Sequence, residues 1–417
     1  MTGSLPVPLQ PEDRAILELE GATVAGHACK VVVLGEGAPA TEALREAVGD
    51  RLARAPELSR RLVEVDGAPA WAPAGSVDLG EHVVAVPVGA PLDADGLRRE
   101  VARLFAERLD RSRPLWRMDV APLEGGGAAV IWRTHHAMAD GTTAMRLARE
   151  VLWDAGAVAA AGPAHHPSAP GDDARRRAHL AGFLRRELPE RGRSPFDGRI
   201  GTRRRVAFAA LPLGPLHDAA RAACGATVND AVLSVVAGGI RRWLEARGGR
   251  LRTIRLQVPV SLHHEGDDAA NRDSFFCVPV PLDEPDPVAR LRAVHAAAAL
   301  CKAEHDAETL EELMSGLARM SPELQRLAAR MEASPRAFAL SVSNVVGPRE
   351  PVAVLGAPVG ALYSVAEIGR RHALRAGVVS LAGTLHLGLC ADPALVDDVD
   401  VMADGAEAEA RALIAAA

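Results

Sequence analysis

The feature that most limits how this chain folds is a short apolar run that leads into a polar turn with two histidines. Residues 128–132 (AAVIW) form the run, and residues 135–141 (HHAMADG) form the turn. A run this short, with β-branched residues at its centre, predicts a buried strand. From residue 142 to 152, apolar residues return at helical spacing and predict an amphipathic helix. We therefore expect both histidines in a strand-to-helix loop, where a rigid scaffold often holds catalytic groups.

Helical and strand-like patterns alternate irregularly along both halves of the chain. Apolar spacing predicts helices over residues 11–19, 41–54, 93–109, 229–244 and 310–331. Strands are predicted over residues 28–34, 82–88, 254–262, 275–282 and 338–346, followed by a strand pair over 378–390 that turns at Gly383. This order predicts an α/β (α+β) fold with two comparable lobes, residues 1–153 with the histidines and residues 206–417.

Residues 154–205 differ in composition and are predicted to form an exposed crossover between the lobes. Ala, Gly and Pro dominate first, and two runs of three arginines follow, with a short helix expected over residues 179–188. The arginine runs favour a solvated surface; the alternative is a site for a phosphate-bearing cofactor.

Composition limits the classes of protein that remain. The chain has 417 residues, a formal net charge of −6 and 48% hydrophobic residues, which predicts a large core and argues against nucleic acid as a partner. Its five cysteines form no C-x-x-C pair, as in a reduced cytoplasmic protein. We predict no signal peptide, because the N-terminus lacks a basic start, and no transmembrane anchor, because no apolar run approaches 18 residues.

The histidine turn predicts proton transfer. Neighbouring side chains in an extended chain point to opposite sides, so only one of His135 and His136 is expected to face a reacting group. The imidazole pKa suits a general base near neutral pH. The chain has no G-x-S-x-G and no cysteine near the turn, which favours direct base catalysis over a covalent intermediate. Two alternatives stay open: a purely structural histidine, and a metal site, although the H-E-x-x-H spacing is absent.

The turn resembles the HHxxxDG signature of the wax ester synthase/diacylglycerol acyltransferase family, within the chloramphenicol-acetyltransferase-like (CAT-like) and condensation-domain superfamily. His135, His136, Asp140 and Gly141 occupy its fixed positions. Further segments resemble family elements in family order, at residues 113–116 (RPLW), 227–233 (TVNDAVL), 258–261 (VPVS), 271–272 (NR), 343–349 (SNVVGPR) and 383–389 (GTLHLGL). The likeness extends from about residue 9 to residue 413.

The resemblance implies two CAT-like lobes, each a mixed sheet with helices, and a tunnel between them. It implies an acyltransferase that moves a fatty acyl group from acyl-CoA to a fatty alcohol or diacylglycerol, without a metal or a cofactor other than this thioester. By the same likeness, His136 is the general base, His135 supports the loop, and Asp140 is structural through an ion pair with an unidentified arginine. Peripheral association with membranes or lipid droplets also follows from the family's hydrophobic products.

Four further residues are expected to bind substrate. Asn229 and Asp230 stand where a helix begins, and the alternative is simple capping of that helix. Ser343 shares one strand face with Ser341, and Asn344 lies on the other face. A hydroxyl or amide there is suited to stabilise the oxyanion of an acyl-transfer intermediate, and the alternative is a hydrated polar strand.

Departures from the family pattern leave two other functions open. The crossover is short, the first helix lacks the family's aromatic residue, and the second-lobe helix carries Gly238-Gly239, which either loosens that helix or lets it pack closely. The first alternative is a secondary-metabolite O- or N-acyltransferase of the same superfamily that uses acyl-CoA or a carrier-protein thioester. The second is an acyl-chain-binding relative without turnover.

Overall fold

The computed structural model describes residues 5–154, 194–261, 273–303, 334–335 and 337–417. The helices and strands of the first half are, in chain order, β1 (Val7–Pro8), α1 (Pro11–Leu19), β2 (His27–Leu34), α2 (Thr41–Arg51), β3 (Arg60–Val65), β4 (Ala68–Pro73), α3 (Leu79–His82), β5 (Val83–Ala85), α4 (Ala94–Phe105), β6 (Trp116–Pro122), β7 (Ala128–His135) and α5 (Gly141–Val151). Every residue of β7 is buried, as the apolar run predicts.

The described elements of the second half are β8 (Arg205–Pro212), α6 (Leu213–Cys224), α7 (Val228–Ala246), β9 (Thr253–Ser261), β10 (Asp273–Pro281), α8 (Pro287–Ala303), β11 (Leu340–Val345), β12 (Ala353–Val354), β13 (Ala357–Ala366), β14 (Leu374–Leu381), β15 (Thr384–Ala391) and α9 (Val399–Ala416). The predicted helices over 179–188 and 310–331 and the 271–272 segment lie outside the described residues.

Two six-stranded sheets organise the molecule. The first has the order β12-β13-β2-β7-β6-β5 and the second has the order β10-β9-β11-β14-β15-β8, while β1-β4-β3 form a small separate sheet. Both large sheets mix parallel and antiparallel pairs, because β5 lies parallel to β6 and β11 lies parallel to β14. The predicted α/β (α+β) fold with mixed sheets is confirmed.

A strand from the second half of the chain completes the first sheet. β13 pairs antiparallel with β2, with Ala366 opposite Ala28. The same strand lies tightly on the second sheet, because a Cβ at Gly377 would stand 2.7 Å from the carbonyl oxygen of Ser364, and one at Gly388 would also collide with it. Glycine is therefore needed where the two sheets touch. The division at residues 153 and 206 stays a prediction.

Helices α7, α8 and α9 cover the second sheet, and Gly238-Gly239 let two of them meet closely. A Cβ at Gly239 would lie 2.5 Å from the carbonyl oxygen of Met402 on α9, and one at Gly238 would collide with the Glu409 side chain. Of the two readings of this glycine pair, close packing is confirmed. In the described residues no single helix is long and apolar enough to cross a bilayer; only the bent pair Leu213–Cys224 and Val228–Ala246, at 97°, meets that test.

Three predicted elements differ from expectation, each for a local reason. The helix predicted to residue 54 is α-helical only to Arg51 and continues as a 3₁₀ helix over Leu52–Arg54, where it stops because Pro56 disfavours helical backbone at Ala55. The helix predicted to residue 109 ends at Phe105, and the buried Arg133 guanidinium donates to the carbonyls of Leu104 and Glu107 just there. The strand predicted over 82–88 is reduced to β5 before Pro87, which has no N–H to donate to a ladder.

Candidate active site

The loop between β7 and α5 is a compact turn closed at both ends. The carbonyl of His135 accepts hydrogen bonds from the amides of Met138 and Ala139, at 2.9 and 3.2 Å. Asp140 caps α5, because its Oδ1 accepts from the amide of Thr143 at 2.6 Å. Asp140 is 3% exposed, so this cap is buried. Residues 137–139, which separate the histidines from Asp140 and Gly141, therefore lie within a single turn.

His135 points into the protein. Its ring is buried, its Nε2 lies 3.2 Å from Oε2 of Glu20, and its Nδ1 accepts from the amide of Ala137. Both ring nitrogens thus contact groups of the protein, and the role of His135 as a support of the loop stays a prediction.

His136 has a different environment from its neighbour. Its backbone amide donates to the carbonyl of Gly26 at 2.9 Å, and the residue is partly exposed, although its Nδ1 is shielded from solvent. Burial of the ring, helped by the positive charge of Arg375, lowers the pKa of His136 to about 4, while Asp140 acts in the opposite direction. The imidazole is therefore neutral at pH 7 and able to accept a proton.

Two cations, the buried Lys30 and the partly exposed Arg375, act electrostatically on this loop. Lys30 on β2 donates to Oγ of Ser364 at 2.7 Å, and burial lowers the pKa of Lys30 to about 8 while the charge of Asp140 raises it. Arg375 on β14 donates to the carbonyl of Glu367 at 3.1 Å, and its charge acts on His136. The ion pair of Asp140 with an arginine stays a prediction, and Arg375 is the arginine whose charge acts on the His136 ring.

The start of α5 meets the second sheet at β11. A Cβ at Gly141 would stand 2.7 Å from Cγ2 of Val345, so only glycine allows this approach. In the parallel ladder Ser343 lies opposite Gly377 and Val345 lies opposite Val379. We call the side of the second sheet that carries these residues the seam face, because it is turned toward the first sheet.

Ser341 belongs to the seam face, since alternate residues of a strand share a side. It is 6% exposed, and its Oγ has no hydrogen-bond partner among the described residues. Asn344 lies on the opposite side of β11 from Ser343. The structure thus brings Ser343 to the side of the sheet that the histidine loop approaches, and Asn344 to the other side.

Asn229 and Asp230 begin α7, and the contacts of Asp230 are those of a helix cap. Thr227 is the N-cap, its Oγ1 accepts from the amide of Asp230 at 3.2 Å, and the Asp230 carboxylate accepts from the amide of Thr227 at 3.0 Å. The same carboxylate lies 2.9 Å from Nδ1 of His295 on α8. Substrate binding by Asn229 and Asp230 stays a prediction.

Three residues of the site were missed by the sequence reasoning. Glu20 follows the first helix, and Lys30 and Arg375 stand inside apolar strands. A charged residue within an otherwise apolar strand is the signal that marks the last two, because such strands rarely carry a charge without a role. Lys30 is also one of only two lysines in the chain. Within the part of the chain that the structure describes, no three His, Cys, Asp or Glu residues are grouped to hold a metal ion.

Comparisons with known proteins point to one family. The model of the wax ester synthase/diacylglycerol acyltransferase catalytic domain matches residues 9–189, and the model of the WS/DGAT C-terminal domain matches residues 269–413. A probable diacylglycerol O-acyltransferase of Mycobacterium tuberculosis is 29% identical over 419 residues, with 92% of this chain and 90% of the relative covered. A second putative diacylglycerol O-acyltransferase of that species is 27% identical, with 93% and 91% covered.

Solved structures show the same fold. A wax ester synthase/diacylglycerol acyltransferase from Marinobacter aquaeolei superposes with a TM-score of 0.69 and 22% identity, over 98% of both chains. The first condensation domain of the calcium-dependent antibiotic synthetase superposes with a TM-score of 0.62 and 19% identity, over 99% of this chain and 96% of that one. The two-lobe CAT-like architecture is therefore confirmed.

Proposed function

The chain belongs to the wax ester synthase/diacylglycerol acyltransferase family and is an O-acyltransferase, and from this premise we propose its substrates and its base. The proposed reaction moves a fatty acyl group from acyl-CoA to the hydroxyl of a fatty alcohol or a diacylglycerol, with His136 as general base. The observation that carries the proposal is the position of His136, a partly exposed residue on the loop that meets the second sheet at Gly141 and Val345.

The proposed reaction needs no reactant other than the acyl-CoA thioester and the acceptor alcohol. His136 takes the proton from the acceptor hydroxyl while that oxygen attacks the thioester carbonyl, and a tetrahedral oxyanion forms. The carbon–sulfur bond then breaks, the ester is released, and the coenzyme A thiolate takes the proton back from His136. A base placed in this way contributes roughly 10²- to 10⁴-fold to the rate.

Ser341 is the proposed donor to the oxyanion. A buried hydroxyl without a partner is costly, and a substrate oxygen on the seam face would satisfy it. Substrate contacts are also proposed for Asn229, Asp230 and Ser343, and for Asn344 from the opposite face of β11. The carboxylate of Asp230 already serves the start of α7, so we expect Asp230 to act through that helix.

The proposed location is the cytoplasm, with peripheral association at a membrane or lipid droplet, where acceptor and product would dissolve. Three large apolar side chains support this proposal, because Leu5, Val7 and Leu19 are exposed by 83%, 52% and 55%. Flotation with phospholipid vesicles tests it. We expect the wild-type protein to float and a variant with all three residues changed to Ser to remain in solution; equal flotation of both would contradict it.

A thiol-release screen tests the proposed reaction. The purified protein is given acyl-CoA of several chain lengths together with hexadecanol, diacylglycerol, a long-chain amine or no acceptor. We expect release that depends on hexadecanol or diacylglycerol, and the matching ester as product. Release with the amine alone would instead support a secondary-metabolite N-acyltransferase. No release with any acceptor would support a binding protein without turnover.

A further inference from the structure

The turn between α1 and β2, residues 20–26, contacts both histidines of the signature. The carbonyl of Gly26 accepts from the amide of His136 at 2.9 Å. Glu20, at the other end of the turn, places Oε2 3.2 Å from Nε2 of His135. A Cβ at Gly26 would stand 2.7 Å from that same Nε2, and Gly26 has a positive φ of 74°. This turn is therefore packed directly against the base and its neighbour.

The hydrogen bonds of His135 determine where its ring proton lies. The amide of Ala137 donates to Nδ1 at 3.2 Å, so Nδ1 must carry a lone pair. The ring proton then resides on Nε2, and Nε2 faces Glu20. A carboxylate at this position accepts that proton in a hydrogen bond and thereby fixes both the tautomer and the ring orientation.

Glu20 is itself held in place. Its side chain is 5% exposed, and Arg111 donates to it through Nη2 at 2.7 Å and through Nε at 3.0 Å. Arg111 also donates to the carbonyl of Leu17 at the end of α1. Burial alone would raise the pKa of Glu20, but the hydrogen bonds from His135 and Arg111 outweigh burial and lower it, so the carboxylate is charged at neutral pH.

We propose that Glu20 is a positioning residue for acyl transfer: it orients His135 and, through the turn that the His135 carbonyl closes, sets the place of the His136 ring. The inference rests on the proposed role of His136. Arg111, Glu20 and His135 form one chain of hydrogen bonds from the surface to the loop. Glu20 touches no reacting atom, so its loss is expected to lower the rate of the chemical step and leave donor binding unchanged.

Four variants test the inference: Glu20→Ala, Glu20→Gln, His136→Ala and the matched control Glu18→Ala, an exposed residue of the preceding helix α1. The assay is thiol release from palmitoyl-CoA with hexadecanol, together with urea unfolding of each protein. Glu20→Ala is expected to lower kcat by roughly 10- to 100-fold, since a shift of about 1 Å in a catalytic group has effects of this size. Glu20→Gln keeps an acceptor oxygen and is expected to lower kcat by less. KM for palmitoyl-CoA and the activity of Glu18→Ala are expected to stay unchanged.

A double-mutant cycle with His135→Ala separates positioning from general stability. If Glu20 acts through His135, the double variant is expected to be no slower than His135→Ala alone. A wild-type kcat in either folded Glu20 variant would overturn the inference. It would also be overturned if the reduction of kcat in the double variant equalled the product of the reductions in the two single variants. If Glu20→Ala does not fold, the kcat of Glu20→Gln is the measurement that tests the inference. Full activity of His136→Ala would instead overturn the proposed function, so the two failures are distinguishable.

Discussion

An aspartate begins each of two helices, α5 and α7, and each aspartate has a histidine associated with it. The two Asp–His combinations, Asp140 with His136 and Asp230 with His295, differ in a way that bears on catalysis. At α7 the Asp230 carboxylate lies 2.9 Å from Nδ1 of His295, whose side chain is 32% exposed. At α5 Asp140 caps the helix, and His136 has its Nδ1 shielded and a pKa lowered to about 4. The Asp230–His295 contact belongs to the helices that cover the second sheet, whereas Asp140 and His136 belong to the loop after β7.

The comparison shows that an Asp–His contact does not by itself identify a base. What distinguishes His136 is its position, on a loop that meets β11 of the second sheet. The aspartates do a similar structural task in both places, because each one stabilises the first turn of its helix. The following predictions separate the two locations.

The largest expected effect is that of His136→Ala. Loss of the base is expected to lower kcat by roughly 10²- to 10⁴-fold. The matched control is His295→Ala, which removes the histidine of the other combination and is expected to keep wild-type kcat. Thiol release with hexadecanol measures both. A comparable loss in the two variants would remove the distinction between the two locations.

Gly141→Ala tests the contact between the loop and β11. The added Cβ would stand 2.7 Å from Cγ2 of Val345, so the start of α5 or the strand must shift. We expect kcat to fall by roughly tenfold or more, because small displacements of catalytic groups are costly. Gly89→Ala is the control, since its Cβ meets nothing within 4 Å. Equal rates for the two variants would show that the approach to β11 does not matter.

Arg375→Met is expected to move the acid limb of the pH profile. The positive charge of Arg375 helps burial to lower the pKa of His136, so its removal raises that pKa from about 4 toward the ordinary value. The unprotonated ring is the active form, so kcat/KM falls as pH decreases through this pKa. In the variant the fall therefore begins at a higher pH than in the wild type, while rates near pH 8 change little.

The control for this shift is Arg371→Met, which removes an exposed arginine that pairs with Asp197. Its pH profile of kcat/KM is expected to overlay that of the wild type. An unshifted acid limb in Arg375→Met would mean that His136 is not the group that titrates.

The smallest effect on transfer is expected from Asp230→Ala. Loss of the capping box destabilises α7 by about 1–2 kcal/mol, measured as the free energy of unfolding in urea. The rate for each folded molecule is expected to stay close to that of the wild type. A large drop in kcat at unchanged stability would instead support direct substrate contact by this residue.

The sequence predicted the histidine loop well because its signals are local. A buried β-branched run, two histidines and an Asp-Gly cap lie within fourteen residues, 128–141, and the strand, turn and helix follow in that order. The turn at Gly383 is equally local: Ala382 and Gly383 have positive φ of 45° and 85° between β14 and β15.

The remaining parts of the site depend on contacts between distant residues. The pairing of β13 with β2 joins residues more than 300 positions apart, and nothing in either run specifies that partner. Glu20 and His135 likewise meet only in the folded chain, because 115 positions separate them. The charge of Arg375 acts on the ring of His136 from a strand of the other large sheet, 239 positions along the chain. Such long-range pairs need the folded chain, whereas caps and turns can be predicted from a few neighbouring residues.

The most direct test of the account separates donor binding from chemistry in His136→Ala. Palmitoyl-CoA binding is measured by calorimetry, and hexadecanol-dependent thiol release is measured on the same preparation. If His136 removes the acceptor proton, the variant binds palmitoyl-CoA with the wild-type Kd and loses the release that hexadecanol stimulates. Release at the wild-type rate with the ring absent would contradict the account.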